Sequence, residues 1–158
     1  MNASRQMNSN QIRSMISIRF LRPGFDFWFS DHEHIRSPFP KNILETVEER
    51  TTSTFFEWIG GFREDELYAM EEKEIVEMFE TILFNEAFKL VEDEDQQLSI
   101  SYPFLPRLGD QVNHQPGGPG KVINRKAIAT KENKTLMELT VFNHETEKTW
   151  QTCFELTA

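Results

Sequence analysis

The sequence contains one cysteine, so the chain cannot form an internal disulfide. This scarcity is typical of a reducing compartment and predicts a cytoplasmic location. Long hydrophobic runs are also missing, since no stretch approaches the roughly 18 apolar residues of a membrane-spanning helix. Residues 1–11 lack the apolar core of a signal peptide and are predicted to form a disordered polar tail. We therefore expect no membrane contact, and Cys153 is predicted to be a small strand residue rather than a nucleophile.

Basic charge is scarce in the first two thirds of the chain. Residues 1–106 carry 10 Lys and Arg against 20 Asp and Glu, whereas residues 107–158 carry 7 against 6. An acidic surface repels polyanions, so we expect no nucleic-acid partner. A small phosphate-bearing ligand could still bind near the basic side chains of the last third, which are Arg107, Lys121, Arg125 and Lys126.

Aromatic residues, by contrast, are abundant, with 14 Phe and 3 Trp. Such rings are most often buried, and the chain length suits one domain with a substantial core, so we predict a single domain over residues 1–158. Near its start, residues 15–29 alternate apolar and other side chains on both sides of Arg22-Pro23-Gly24. This alternation predicts a bent strand or a hairpin.

Helices and then strands are predicted beyond residue 40. Apolar residues recur at helical spacing in 41–59 and 64–83, while 84–91 fits either a helix or a strand. Any helix should end before Glu92, because the acidic run 92–95 is unfavourable at a helix C-terminus. That run is predicted to be a solvated loop, with a partner-docking patch as the alternative. Strand patterns follow at 97–104, 110–114, 121–129 and in a hairpin of LMELTVFN and KTWQTCFEL.

These elements predict an α+β fold in which one antiparallel sheet, apolar on a single face, packs against a helix. Three motifs accompany this order: Tyr102 and Pro106 before Gly109-Asp110, FSDHEH at 29–34, and ILETVEER at 43–50. Together they resemble the hotdog-fold acyl-CoA thioesterases of the hydroxybenzoyl-CoA thioesterase type. In that family a curved antiparallel sheet wraps around a long helix.

The resemblance implies hydrolysis of an acyl-CoA or acyl carrier protein thioester without a cofactor, by a homodimer or tetramer. Asp31 would be the nucleophile or general base, assisted by Glu48 or Glu49. The CoA phosphates would lie near Arg107, Lys121, Arg125 or Lys126. The simpler alternatives are that Asp31 is a loop acid near a turn and that Glu48 and Glu49 belong to a solvated helix face.

Two departures from the family bear on activity. Its Gly-His-x-Asn-Asn segment is replaced here by residues 36–40, RSPFP, and residues 62–95 form an acidic helical insertion longer than the usual connection. The first alternative function is therefore an inactive hotdog protein that binds an acyl ligand or a partner. The second is an interaction module, because GDQVNHQPGGPGKV at 109–122 resembles a Tudor-like small barrel.

Histidines offer a further hypothesis. His32 and His34 could share one side of an extended segment and hold a metal ion, but they lack a clear third ligand, so no metal site is predicted. His114 and His144 fall in predicted turns and are expected at the surface. The glycines and prolines at 116–120 fit a flexible turn or a flap over a ligand.

Overall fold

Helices and strands occupy different parts of the chain. The computed structural model describes residues 9–33, 35–114 and 118–156. The chain divides into two compact units, Met1–Pro103 and Phe104–Ala158, where the sequence had predicted one domain. The described part of the first unit is helical and that of the second is an antiparallel sheet, so the α+β class is confirmed. No helix in the described ranges is both long enough and apolar enough to cross a membrane.

The first unit opens with an interrupted helix. It consists of α1 (Ser9–Ile16), a π turn (Ser17–Leu21) and α2 (Arg22–Trp28). The prediction of a strand or hairpin over 15–29 is therefore wrong, as is that of a tail for residues 9–11; residues 1–8 lie outside the described residues.

The physical reason lies in the spacing of the buried side chains. Ile12 and Ile16 are four residues apart, Leu21 follows five residues later, and Phe25 and Trp28 continue at four and three. A π turn bonds i to i+5 and takes up the extra residue, so all five side chains stay on one face. Pro23 lies in the first turn of α2, directly after the π turn.

The core of the first unit lies between two long helices, α3 (Leu44–Gly60), preceded by a short 3-10 turn (Lys41–Ile43), and α5 (Glu72–Leu90). The predicted helix 41–59 is thus confirmed. The predicted helix 64–83 is two helices, α4 (Glu64–Ala69) and α5, and α5 continues through the ambiguous segment 84–90 and ends before Glu92 as expected. Phe79, Leu83 and Ala87 of α5 are buried, so the segment described as an insertion supplies much of this core.

The last helix of the first unit is α6 (Glu94–Ser101), so the predicted strand 97–104 is wrong. The predicted acidic loop 92–95 is confirmed at Glu92 and Asp93, which are exposed and non-helical, but not at Glu94 and Asp95. Asp93 caps α6, because its Oδ1 accepts a hydrogen bond of 2.9 Å from the Gln96 N–H. Glu94 and Asp95 lie in the first turn, where the helix dipole favours negative charge. The same acidic run that is unfavourable at a helix end therefore begins a helix here.

The second unit is a four-stranded meander of order β1-β2-β3-β4. Its strands are β1 (Gln111–His114), β2 (Gly118–Ala129), β3 (Thr135–Asn143) and β4 (Lys148–Leu156), which confirms the strands predicted after residue 110. All neighbours pair antiparallel. Met137, Leu139 and Val141 of β3 are buried and share one face, as the alternation predicted.

Two of the strands on which the hotdog interpretation relied are helical. Residues 15–29 supply no strand ahead of the long helix, and residues 97–104 supply none before the Gly109-Asp110 turn. The structure thus carries the coarser α+β assignment, while a hotdog arrangement stays a prediction.

Candidate functional site

Asp31 lies in the loop that follows α2 and is exposed. Its Oδ1 accepts a hydrogen bond of 3.0 Å from the Ser37 N–H, and the His32 N–H donates to the Ile35 carbonyl at 2.8 Å. These bonds close the loop, which is the behaviour of a turn-forming acid. The predicted catalytic carboxylate thus has a structural partner at one of its two oxygens.

Glu48 and Glu49 are both exposed on α3, while Val47 and Thr51 of the same helix are fully buried. Within the described ranges, no hydrogen bond or ion pair joins Asp31 to either glutamate. The predicted second acids therefore lie on the solvated helix face that was the simpler alternative.

The four predicted phosphate-binding residues do not share one surface. Arg125 is 5% exposed, and its Nη1 donates to the Pro106 carbonyl at 3.0 Å. A β-bulge between Val122 and Asn124 places Lys121 and Lys126 on the opposite face of β2 from Arg125. The Lys126 Nζ lies 3.6 Å from Glu138 Oε1. These basic residues are close in sequence, but the bulge and the pleat put Arg125 on a different face of β2 from Lys121 and Lys126.

Arg107 and Asp110 form the turn that leads into β1. The Arg107 N–H donates to Asp110 Oδ2 at 2.8 Å, and the Asp110 N–H donates to the Arg107 carbonyl at 3.0 Å. Gly109 has a φ of 86°, a conformation that glycine adopts without the Cβ penalty, and its N–H donates to the Val122 carbonyl at 2.8 Å. The Gly-Asp pair therefore builds a tight turn onto β2, which accounts for this motif without a catalytic role.

The remaining candidates of the sequence analysis are dispersed. His32 stacks on Phe27 with ring centroids 4.5 Å apart, and His144 is exposed after β3 as expected. His34, residues 115–117 and the side chain of His114 lie outside the described residues, although His114 itself ends β1. Cys153 is an exposed residue of β4. No three His, Cys, Asp or Glu side chains in the described part of the chain are grouped so as to hold a metal ion.

A pocket of about 280 Å³ opens on the apolar face of the sheet. Alternate residues of β4 form one wall, and residues of β3, of β1 and of the loop before β1 form the others. The lining residues are Pro106, Val112, Asn113, Leu139, Trp150, Thr152 and Phe154. The sequence predicted the shared face of Trp150, Thr152 and Phe154, but it gave no sign that this face encloses a pocket.

Trp150, one of the residues that line this pocket, carries an unpaired polar atom. Its indole Nε1–H is buried and has no hydrogen-bond partner among the residues that the structure describes. A buried donor without an acceptor is costly, and indole N–H groups usually find a partner when buried. The pocket therefore has largely apolar walls, and one of its lining residues carries a buried donor without an acceptor.

Comparison of the chain with protein-family models, with curated protein sequences and with solved structures found no match.

Proposed function

We propose that the second unit, Phe104–Ala158, is a protein-interaction module that binds an extended, apolar segment of a partner protein along β4. The observation that carries the proposal is the largely apolar pocket beside this strand, to which Trp150, Thr152 and Phe154 of β4 contribute. The proposal corresponds to the interaction-module alternative of the sequence analysis.

β4 supports this function because it is an edge strand. It pairs with β3 on one side and is last in the sheet order, so its other side presents backbone groups to a further strand. Its central residues, 149–154 (TWQTCF), carry no charge and no proline, whereas Lys148 and Glu155 lie towards its ends. An uncharged edge of high β-propensity is the type of strand that accepts another strand.

The pocket would supply selectivity. A strand added to β4 would direct alternate side chains towards the face that carries Trp150, Thr152 and Phe154. The pocket would take an aliphatic or aromatic side chain. Main-chain bonds would then provide affinity, and the pocket would provide the choice of side chain.

Thr152→Arg is expected to lower peptide affinity by about tenfold or more, because it places a charge in an apolar pocket. We would select peptides on the full chain from a random display library and measure their dissociation constants by calorimetry. Gln151→Arg is the matched control, since Gln151 is exposed on the opposite face of β4, and it is expected to change affinity by less than about twofold.

Two outcomes would contradict the proposal: no peptide that binds, or peptides that bind Thr152→Arg as tightly as the original chain. A homodimer remains a prediction of the sequence resemblance. If sedimentation shows a dimer that Thr152→Arg dissociates and Gln151→Arg does not, the segment on β4 comes from a second copy of the chain.

Thioester hydrolysis also stays a prediction. Because the hydrogen bond to Ser37 indicates a structural role for Asp31, we expect any acyl-CoA turnover to be unchanged in Asp31→Asn, whose amide oxygen can still accept the Ser37 N–H. The measurement is free-thiol release from short, long and aromatic acyl-CoAs, with a substrate-free blank because Cys153 is exposed. Turnover by the original chain that collapses in the variant would favour the hydrolase over the binding module.

A further inference from the structure

A second cavity, in the helical unit, lies between the π turn, α2 and α5. Its volume is about 240 Å³, below the range of drug-sized ligand pockets and therefore suited to a smaller group. Aromatic rings dominate its walls, and they come from Phe20, Phe27, Trp28 and Phe79. Phe27 is 44% exposed, so this cleft is open at an apolar rim.

One carboxylate lies in this aromatic wall. Glu80 of α5 is half-buried, and in the described part of the chain no side chain or backbone group donates a hydrogen bond to it or forms an ion pair with it. Burial, and then the neighbouring Glu77 carboxylate, raise the pKa of Glu80. A carboxylate that is partly removed from water without a partner is destabilised, and a cation beside it would relieve that cost.

The cation within the cleft already has partners. Arg19 lines the same cleft, but its guanidinium forms an ion pair with Glu72 and lies 5.5 Å from the centroid of the Phe20 ring. Its charge is thereby balanced by a carboxylate other than Glu80. The placement of Arg19 over Phe20 also illustrates how a ring in this wall attracts a positive charge.

The apolar mouth of the cleft and the Glu80 carboxylate are together complementary to a single chemical group. Phe27 and Val76 offer apolar surface at the mouth of the cleft, and Glu80 offers negative charge. We propose that this cleft binds an alkylammonium group, with its ammonium on the Glu80 carboxylate and its methylene stem against Phe27 and Val76. Such a group is the end of a lysine side chain or of a free aliphatic amine.

The test compares two probes that differ in charge. n-Butylammonium and butan-1-ol are titrated into the full chain, and binding is followed by the NMR shifts of residues around the cleft. We expect butylammonium to bind with at least about fivefold higher affinity than the alcohol, because only the ammonium pairs with Glu80. Equal affinities would overturn the proposal.

Two variants make the result specific to Glu80. Glu80→Gln removes the charge while keeping the size of the side chain, and we expect it to abolish the preference for the ammonium over the alcohol. Glu74→Gln removes the same charge from an exposed position of α5 that does not line the cleft, and it should keep the preference. A preference that survives in Glu80→Gln, with its fold verified by circular dichroism, would overturn the proposal.

A third probe distinguishes the two sources of the group. N-acetyl-lysine methylamide presents the same ammonium on a peptide backbone. If N-acetyl-lysine methylamide binds with the affinity of butylammonium, the cleft admits the lysine side chain of a partner protein. Binding of butylammonium with exclusion of the lysine derivative would assign the cleft to free aliphatic amines. Either result leaves the peptide site on β4 as a separate question, since the two sites share no residue.

Discussion

Gly24→Ala is expected to lower the free energy of unfolding of the helical unit by about 2 kcal/mol. A Cβ at this position would lie only 2.8 Å from Cζ of the Phe79 ring and closer still to Cε1. Phe79 is 2% exposed and packs edge to face on Phe25 and Phe55, with ring centroids 5.2 and 6.2 Å apart. Its ring therefore cannot move away from Gly24 without losing these contacts. Overpacking costs typically about 1–3 kcal/mol, and a contact this short belongs at the upper limit of that range. Alanine recovers about 1 kcal/mol of helix propensity, which leaves a net loss of about 2 kcal/mol.

Gly60→Ala is the matched control. Gly60 is the last residue of α3, and a Cβ there would meet nothing within 4 Å. The same substitution should therefore leave stability unchanged or raise it by less than about 1 kcal/mol. Chemical denaturation followed by helical circular dichroism measures both variants. A Gly24→Ala variant as stable as Gly60→Ala would show that α2 does not pack against α5 through the Phe79 ring.

The sequence predicted those elements that keep one period throughout. α3 buries Val47, Thr51, Phe55 and Ile59 at an unbroken spacing of four, and β3 buries every second residue. Such patterns survive folding because the period of the buried residues is also the period of the backbone. Confirmed elements of this type account for most of α3, α5, β3 and β4.

The prediction failed where one residue changed the period. Ile16 and Leu21 are five residues apart, which is the spacing of neither a strand nor an α-helix. Both side chains lie on one helix face only because the π turn accommodates the extra residue. Arg22-Pro23-Gly24 then favoured a hairpin, because Pro-Gly is a strong turn signal. In the structure, Pro23 is in the first turn of α2, and the Phe79 ring of α5 lies against the backbone at Gly24.

The candidate sites could be predicted only in part, since a site depends on neighbours that are distant in sequence. Alternation placed Trp150 and Phe154 on one face, but Leu139 and Pro106 join them only through the meander and the turn at Gly109. The basic residues of the last third illustrate the same point, because a bulge in β2 decides which of Lys121, Arg125 and Lys126 share a face. Asp31 was correctly placed in a loop, and only its bond to Ser37 indicates a structural role.

Thr51→Val is expected to raise the free energy of unfolding by about 1–2 kcal/mol. Thr51 is fully buried on α3, and its Oγ1 has no hydrogen-bond partner among the described residues. A buried hydroxyl without a partner costs about 1–3 kcal/mol, and valine replaces it with a methyl group of similar shape and helix propensity. Thr52→Val, at the half-buried next position, controls for propensity and should change stability by less than about 0.5 kcal/mol.

Thr51→Ser distinguishes the contribution of the hydroxyl to stability from that of the methyl group on the Thr51 Cβ. It keeps the hydroxyl and removes a methyl from a closely packed site, so we expect a loss of about 1 kcal/mol. The order valine, threonine, serine in decreasing stability would show that this position is a purely apolar contact of α3. Valine that proves less stable than threonine would contradict this, because it would mean that the hydroxyl has an acceptor whose loss outweighs the added methyl group.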